Sequence, residues 1–307
     1  MGSGHILIAM FDVLRDIYES AGYDKREAAF EIVEHNIHGL DIDKRAYQLA
    51  YFAVMMKGRG YNRRFLRGRD GKLKPKVYAI VESNEINRNH LQFFGTHLSE
   101  MERNLAVMQI EGLLDTFKDA REYGSILNVD ECDWELLEKF VEDLNADGQI
   151  SFENFGSDET LEQLRKLVRV AHNLGQKYDA VVTNPPYMGA SGMGAKLSKY
   201  VKDNYSDSKS DLFAVFIEKC GQMAKKNGYQ AMITQHAWMF LSSFEKLRNK
   251  LQGMDIVNMA HLGPRAFEEI GGEVVQTTSF VTRKNYIESY KGTYCRLIEP
   301  TTQQGKE

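Results

Sequence analysis

The stretch Thr183-Asn184-Pro185-Pro186-Tyr187 decides the fold. It follows Tyr178-Asp179-Ala180-Val181-Val182, an apolar run that reads as a buried parallel strand. Two consecutive prolines stop a strand or helix and stiffen the turn. The expectation is a rigid loop at the carboxyl end of a strand, where open α/β sheets bind ligands. The loop offers the Asn184 amide, proline carbonyls and the Tyr187 ring. An amide oxygen and a backbone carbonyl can both accept hydrogen bonds from one planar amino group, and a tyrosine face can stack on the ring that carries it. The other reading is an ordinary strand-to-loop turn, since Asn-Pro commonly opens turns.

Composition narrows the class. The chain has 307 residues, enough for one large domain or a domain with an insertion, and 43% of them are hydrophobic. A net charge of −4 excludes a uniformly basic nucleic-acid binder and leaves room for a local basic patch. Cys132, Cys220 and Cys295 are far apart with no CxxC pair, which argues against a zinc site or a disulfide framework and for a reducing cytoplasm. No run of 18 apolar residues is present, so the sequence gives no reason to expect a membrane span.

Upstream, Gly2-Ser3-Gly4-His5 leads into a helical pattern in which Ile6, Met10, Val13, Leu14 and Ile17 share a face. Glycines at a helix start let a ligand approach the free first N–H groups. A helix over 25–35, a strand over 37–42 and a helix from Asp43 follow. Asp41, acidic and at a strand end, suits either the ribose-hydroxyl role of nucleoside-binding α/β folds or a helix-capping carboxylate; Asp43 reads as the helix N-cap. Residues 57–76 carry nine basic side chains against Asp70, either a solvated loop or a phosphate-contacting surface. Val77–Val81 reads as a third strand ending at Glu82-Ser83-Asn84, polar groups that could meet a ligand base edge.

From residue 87 to 175 the pattern is helical, with Met101, Leu105, Met108, Leu113, Leu114 and Phe117 spaced as a core-facing stripe. The turn Asn145-Ala146-Asp147-Gly148 lacks the ligands of a calcium loop. After the central loop, 188–210 reads as a mobile, phosphate-facing loop with Lys196, Lys199, Lys202 and Lys209. A helix over 211–226 closed by Asn227-Gly228, a strand over 229–234, a short helix over 244–251, a strand over 256–261 and a β-rich run over 274–282 complete the pattern. Alternating strands and helices predict an α/β fold with a doubly wound, mostly parallel sheet. The expected parts are a cofactor-binding half over 1–86, a helical insertion over 87–175, a catalytic half over 176–290 and a tail over 291–307.

In order along the chain, these stretches resemble the N6-adenine DNA methyltransferases. Gly2-Ser3-Gly4-His5-Ile6-Leu7 is similar to the second half of that family's first motif, and Gly39-Leu40-Asp41-Ile42-Asp43 to its second. Asn184-Pro185-Pro186-Tyr187 matches its catalytic motif, while Asp211-Leu212-Phe213, the Gly228 strand and Thr234-Gln235-His236-Ala237-Trp238-Met239 look like the motifs that follow. Within the family the chain most resembles the large methyltransferases of type IIG restriction and of BREX-type phage defence. The resemblance implies a Rossmann-like methyltransferase fold and S-adenosylmethionine as donor, with Gly2, Ser3, Gly4, His5, Asp41, Ile42 and Glu82 toward the cofactor. It also implies double-stranded DNA as partner, with a flipped adenine as acceptor. Asn184 and the Pro185 carbonyl would take hydrogen bonds from the adenine amino group, with Pro186 stiffening the loop and Tyr187 stacking on the base.

Two departures set further expectations. The strand and Asp-Pro-x-Cys run that precede the first motif are absent, as is any room for a target-recognition domain after the last β-run. The chain is therefore expected to be a fragment of a longer enzyme, lacking the first strand of the sheet and working with a separate recognition domain or other defence-system subunits. Two other readings stay open: a methyltransferase for RNA bases or protein glutamine, and a non-catalytic nucleic-acid-binding remnant.

Overall fold

Gly4 shows how local sequence sets the first unit. Its φ of 96° lies in the left-handed region, and a Cβ there would sit 2.8 Å from the Ala50 Cα. Only glycine lets helix α1 (His5–Ser20) start this close to helix α3 (Lys44–Tyr61). In the structure, a computed structural model, residues 1–69, 71, 73–142, 156–264, 276–299 and 305 are described. The 145–148 turn, Asp70, Lys72 and the start of the run over 274–282 lie outside these residues.

The chain forms two units, Met1–Gln176 and Lys177–Glu307. In the first, α1, α2 (Lys25–Glu31), β1 (His38–Asp41), α3 and β2 (Lys76–Ala79) make a βαβ arrangement. The strands β1 and β2 pair in parallel from His38↔Lys76 to Asp41↔Ala79. Asp43 caps α3, its carboxylate accepting the Arg45 N–H at 2.7 Å. Leu7 and Phe11 of α1, Ala28 and Phe30 of α2, Ala50 and Val54 of α3 and Val77 of β2 form one apolar core. The remaining helices are α4 (Glu100–Thr116), α5 (Ala120–Tyr123), α6 (Trp134–Phe140) and α7 (Ser157–Gly175). No strand occurs among the described residues from 87 to 175.

Two of the expected helix faces are out of phase with the real ones. On α1 the buried residues are Leu7 and Phe11, while Val13 and Ile17 are exposed. On α4, Ala106, Ile110, Leu113 and Leu114 turn inward and Phe117 is buried just beyond the helix end, but Met101 is 81% and Met108 63% exposed. The apolar residues of α4 lie on two faces about half a turn apart, so spacing alone joined two stripes into one.

The second unit contains β3 (Tyr178–Thr183), α8 (Ala195–Asn204), α9 (Leu212–Met223), β4 (Ala224–Gln235), α10 (Glu245–Gln252), β5 (Asp255–Gly263), β6 (Thr277–Arg283) and β7 (Thr293–Arg296). The sheet order is β3-β4-β6-β5-β7. The β3–β4 and β5–β7 pairs are parallel, and β6 lies antiparallel between β4 and β5. Phe213, Ala214, Ile217 and Cys220 of α9 pack on Met232 of β4 and Phe280 of β6.

Several local expectations change here. Among the described residues the β3 strand pairs only with β4 and stays partly exposed, with Val182 at 38%, so it is an edge strand there and not a buried one. The 188–210 stretch holds α8, whose Leu197 and Val201 are buried one turn apart. Asn227-Gly228 does not end the helix; it makes an irregularity inside β4, with Asn227 at φ 65° and a Gly228 Cβ crowded by the Tyr178 carbonyl at 3.0 Å. The stretch expected as a tail contributes β7, which pairs with β5 from Asn258↔Thr293 to His261↔Arg296.

Candidate active site

In the first unit, Asp41 sits at the end of β1 and meets the glycine turn. Its Oδ2 accepts the Gly2 N–H at 2.8 Å and the Met1 ammonium at 3.1 Å, and its Oδ1 accepts the Asp43 N–H at 3.0 Å. A carboxylate has about four lone-pair positions, so three donors leave room for another. Ser3 and His5 are exposed, with Ser3 Oγ 3.0 Å from His5 Nδ1. Ile42, the next residue after the acid, is 47% exposed. Gly2 has φ 58°, and among the described residues no atom beyond its chain neighbours lies within 4 Å of the position a Cβ would take. The turn therefore offers open space beside a carboxylate.

Glu82 lies three residues beyond the end of β2. Its carboxylate accepts the Arg121 N–H at 3.2 Å and lies 3.7 Å from the Arg121 guanidinium. It lines a cavity of about 220 Å³ with Val81, Asn84, Glu85, Ile86, Arg121, Gln163 and Lys166. Asn84 and Asp119 hold each other through two 2.8 Å hydrogen bonds, which fixes Asp119 at its left-handed φ of 54°. Arg121, Gln163 and Lys166 come from helical segments far from the motifs, and no local signal marked them.

In the second unit, β3 and β4 run in parallel, and β5 is parallel to β4 because β6 is antiparallel to both. The carboxyl ends of β3, β4 and β5 therefore lie at one end of the sheet, and they deliver the 184–187 loop, His236 and His261. Asn184 is exposed and Pro185 is buried, so the proline anchors a loop whose amide faces outward. Tyr187 packs on the apolar cluster, its ring 6.1 Å from Phe213 and nearly perpendicular to it. The Tyr187 hydroxyl is buried with no hydrogen-bond partner among the described residues, and burial pushes its pKa up to about 12.

His236 Nδ1 and His261 Nε2 are 2.9 Å apart, with the exposed Phe240 ring 5.4 Å from His236. Burial, and then the neighbouring His261, hold the His236 pKa below its usual value. Trp238 is buried and donates to Thr234 Oγ1 at 3.1 Å. The imidazole pair was not foreseen, because the two residues are 25 positions apart.

The basic segment divides. Lys57 pairs with Asp12 at 2.7 Å, and Arg69 pairs with Glu31 at 2.7 Å while lying over the Phe30 ring. Arg59, Arg63, Arg64, Arg67 and Lys74 are exposed, as are Lys196, Lys199, Lys202 and Lys209 of the second unit.

A parallel βαβ with a glycine turn and a strand-end acid, and a sheet that presents an Asn-Pro-Pro-Tyr loop at its carboxyl end, define a Rossmann-like α/β architecture. The family model described as Eco57I restriction-modification methylase matches residues 35–267, and the chain belongs to that family. It is 46% identical over its whole length to the adenine-specific methyltransferase PglX of Lacticaseibacillus casei (strain Zhang), covering 25% of that protein. It is 38% identical over 99% of its length to the adenine-specific methyltransferase BrxX of Escherichia coli O9:H4 (strain HS), covering 26% of it. The chain thus spans about a quarter of the length of these relatives. Its fold is also that of the nuclease-deleted Type ISP restriction-modification enzyme LlaGI, solved with a DNA substrate mimic, with a TM-score of 0.53, 12% identity, and coverage of 99% of this chain and 22% of that one.

Proposed function

We propose that this chain is the methyl-transferring part of an enzyme that moves a methyl group from S-adenosylmethionine to the N6 amino group of adenine in DNA. The observation that carries the reading is the loop at the end of β3, with an exposed Asn184 amide beside the anchored Pro185. Family membership and the names of the relatives support it.

The first unit has groups that fit a nucleoside cofactor. Asp41 retains acceptor capacity for ribose hydroxyls, the Gly2–Gly4 turn leaves space for close approach, and Ile42 offers an exposed apolar side chain to a base. The cavity beside Glu82 adds polar groups that can read a base edge. Bound there, S-adenosylmethionine supplies an electrophilic sulfonium methyl.

In the second unit, Asn184 Oδ1 and the Pro185 carbonyl accept the two adenine N6 protons. Those bonds strengthen as the nitrogen becomes tetrahedral, which draws its lone pair out of the ring. That nitrogen would take the methyl as the donor leaves as a neutral thioether, and one amino proton would pass to water. This scheme needs no strong base; placement and electrostatics lower the barrier. Tyr187 holds the base extruded from the duplex. The exposed basic residues contact phosphates. A separate recognition domain or other subunits of a restriction or phage-defence system supply sequence choice, and such an enzyme works in the cytoplasm.

Transfer of labelled methyl from S-adenosylmethionine, offered in parallel to duplex DNA, RNA and protein, tests the reading. Label at N6 of DNA adenine is the expected result. Label on RNA or on glutamine, or none with binding retained, would replace it.

A further inference from the structure

We propose that Asp211 is a positioning residue that clamps the catalytic loop to helix α9, which is what fixes Asn184 and Tyr187 in a working geometry. This rests on the reading of the 184–187 loop given above. Asp211 Oδ1 accepts two backbone N–H groups: that of Phe213, two residues on, at 3.2 Å, and that of Met188, 23 residues back, at 3.1 Å. The first is the ordinary bond of a helix N-cap. The second is not needed for capping, and it seizes the residue directly after Tyr187.

The Met188 carbonyl is held as well, accepting the Leu212 N–H at 2.9 Å, and the Ala190 N–H donates to the Ser210 carbonyl at 3.1 Å. Gly189 and Asp211 form an antiparallel bridge. Both backbone groups of Met188 are thus tied to the start of α9. That helix is a firm base, since Phe213, Ala214, Val215 and Ile217 are buried in the second unit. The Phe213 ring also meets Tyr187. One short stretch, 211–213, therefore holds the loop by backbone at Met188 and by ring contact at Tyr187. Catalysis by placement is sensitive to small displacements, about 10²-fold for 1 Å.

Three variants separate clamping from capping. Asp211→Ser keeps a good N-cap oxygen but is too short to reach the Met188 amide as well. Asp211→Asn keeps an oxygen where Oδ1 stands, and Asp211→Ala removes both roles. Amide hydrogen exchange and single-turnover methyl transfer to adenine-containing duplex are measured on each. For Asp211→Ser the proposal expects at least tenfold faster exchange at Met188 with the α9 amides unchanged. It also expects methyl transfer to fall about 10²-fold with donor affinity kept, and Asp211→Asn to recover both to within a few-fold. Unchanged exchange at Met188 in Asp211→Ser, or faster exchange with an unchanged transfer rate, overturns the proposal. If the wild-type protein methylates no adenine, the reading of the function fails, and exchange at Met188 still decides whether the clamp exists.

Discussion

The Gly2 backbone N–H donates to Asp41 Oδ2 at 2.8 Å, joining two motifs 39 residues apart. The glycine turn and the strand-end acid therefore form one corner, and the two glycines in it do different work. Gly4 is needed for both its backbone angle and the contact with Ala50, whereas Gly2 faces open space. We expect Gly4→Ala to cost about 2–4 kcal/mol of stability, from left-handed strain and overpacking together, and Gly2→Ala only about 1 kcal/mol. Urea denaturation of the two variants checks this; equal costs would show that the Ala50 contact is not what requires glycine at position 4.

Lys219 is a buried cation, 4% exposed on α9, and burial lowers its pKa to about 8. A lysine with a folded pKa below its unfolded value binds fewer protons in the folded state, so stability rises with pH between about 8 and 10.5. Relative to the wild type, Lys219→Met should lose up to roughly 3 kcal/mol of stability as pH climbs through that window, because it lacks the group that titrates there. Thermal unfolding of both proteins from pH 7 to 10.5 measures it, and a difference that is flat with pH would show that the charge is not the cause.

Tyr187 has its ring in the apolar cluster and its hydroxyl without a partner among the described residues. Tyr187→Phe removes a buried unsatisfied hydroxyl, so stability should rise by about 1 kcal/mol and capture of the extruded base should change by no more than a few-fold. Tyr187→Ala should lose about 1–3 kcal/mol of base stacking and, because the ring also packs against Phe213, about 2–4 kcal/mol of stability. Chemical denaturation and binding to a duplex with an unpaired target adenine read the two effects separately. A Tyr187→Phe defect as severe as that of Tyr187→Ala would assign the hydroxyl a direct role.

How far these features could be read in advance depends on how local their causes are. The Gly4 turn, the Asp43 cap and the 184–187 loop are short-range, and each was legible from a few neighbouring residues. The antiparallel placement of β6 between β4 and β5 is a pairing choice made between distant segments, so the sequence marked a β-rich run there without its direction. The α4 stripe failed for a related reason: Met101 and Met108 have the right spacing, but only packing partners decide which of two apolar faces is buried. The Met188–Asp211 bond and the His236–His261 pair join residues far apart in sequence and left no local trace.

The basic segment supplies a fourth expectation, narrowed by the ion pairs. Lys57 and Arg69 are engaged with Asp12 and Glu31, so they should contribute little to DNA binding. Reversing Arg63, Arg64 and Arg67, or Lys199, Lys202 and Lys209, should weaken binding across all sequences and reduce the salt slope by about one for each phosphate no longer neutralised. Titrations at several salt concentrations read this directly, and an unchanged slope would make these ordinary solvated side chains.

The central claim is that the Asn184 amide touches the acceptor amino group and not the methyl donor. Its most direct test is single-turnover methyl transfer by Asn184→Ala to duplex DNA, with S-adenosylmethionine affinity measured separately. The account predicts a rate lower by about 10²–10³, from loss of one acceptor that strengthens in the transition state, with donor affinity within about twofold of the wild type. Full activity in Asn184→Ala, or a fall in donor affinity that matches the fall in rate, would contradict it.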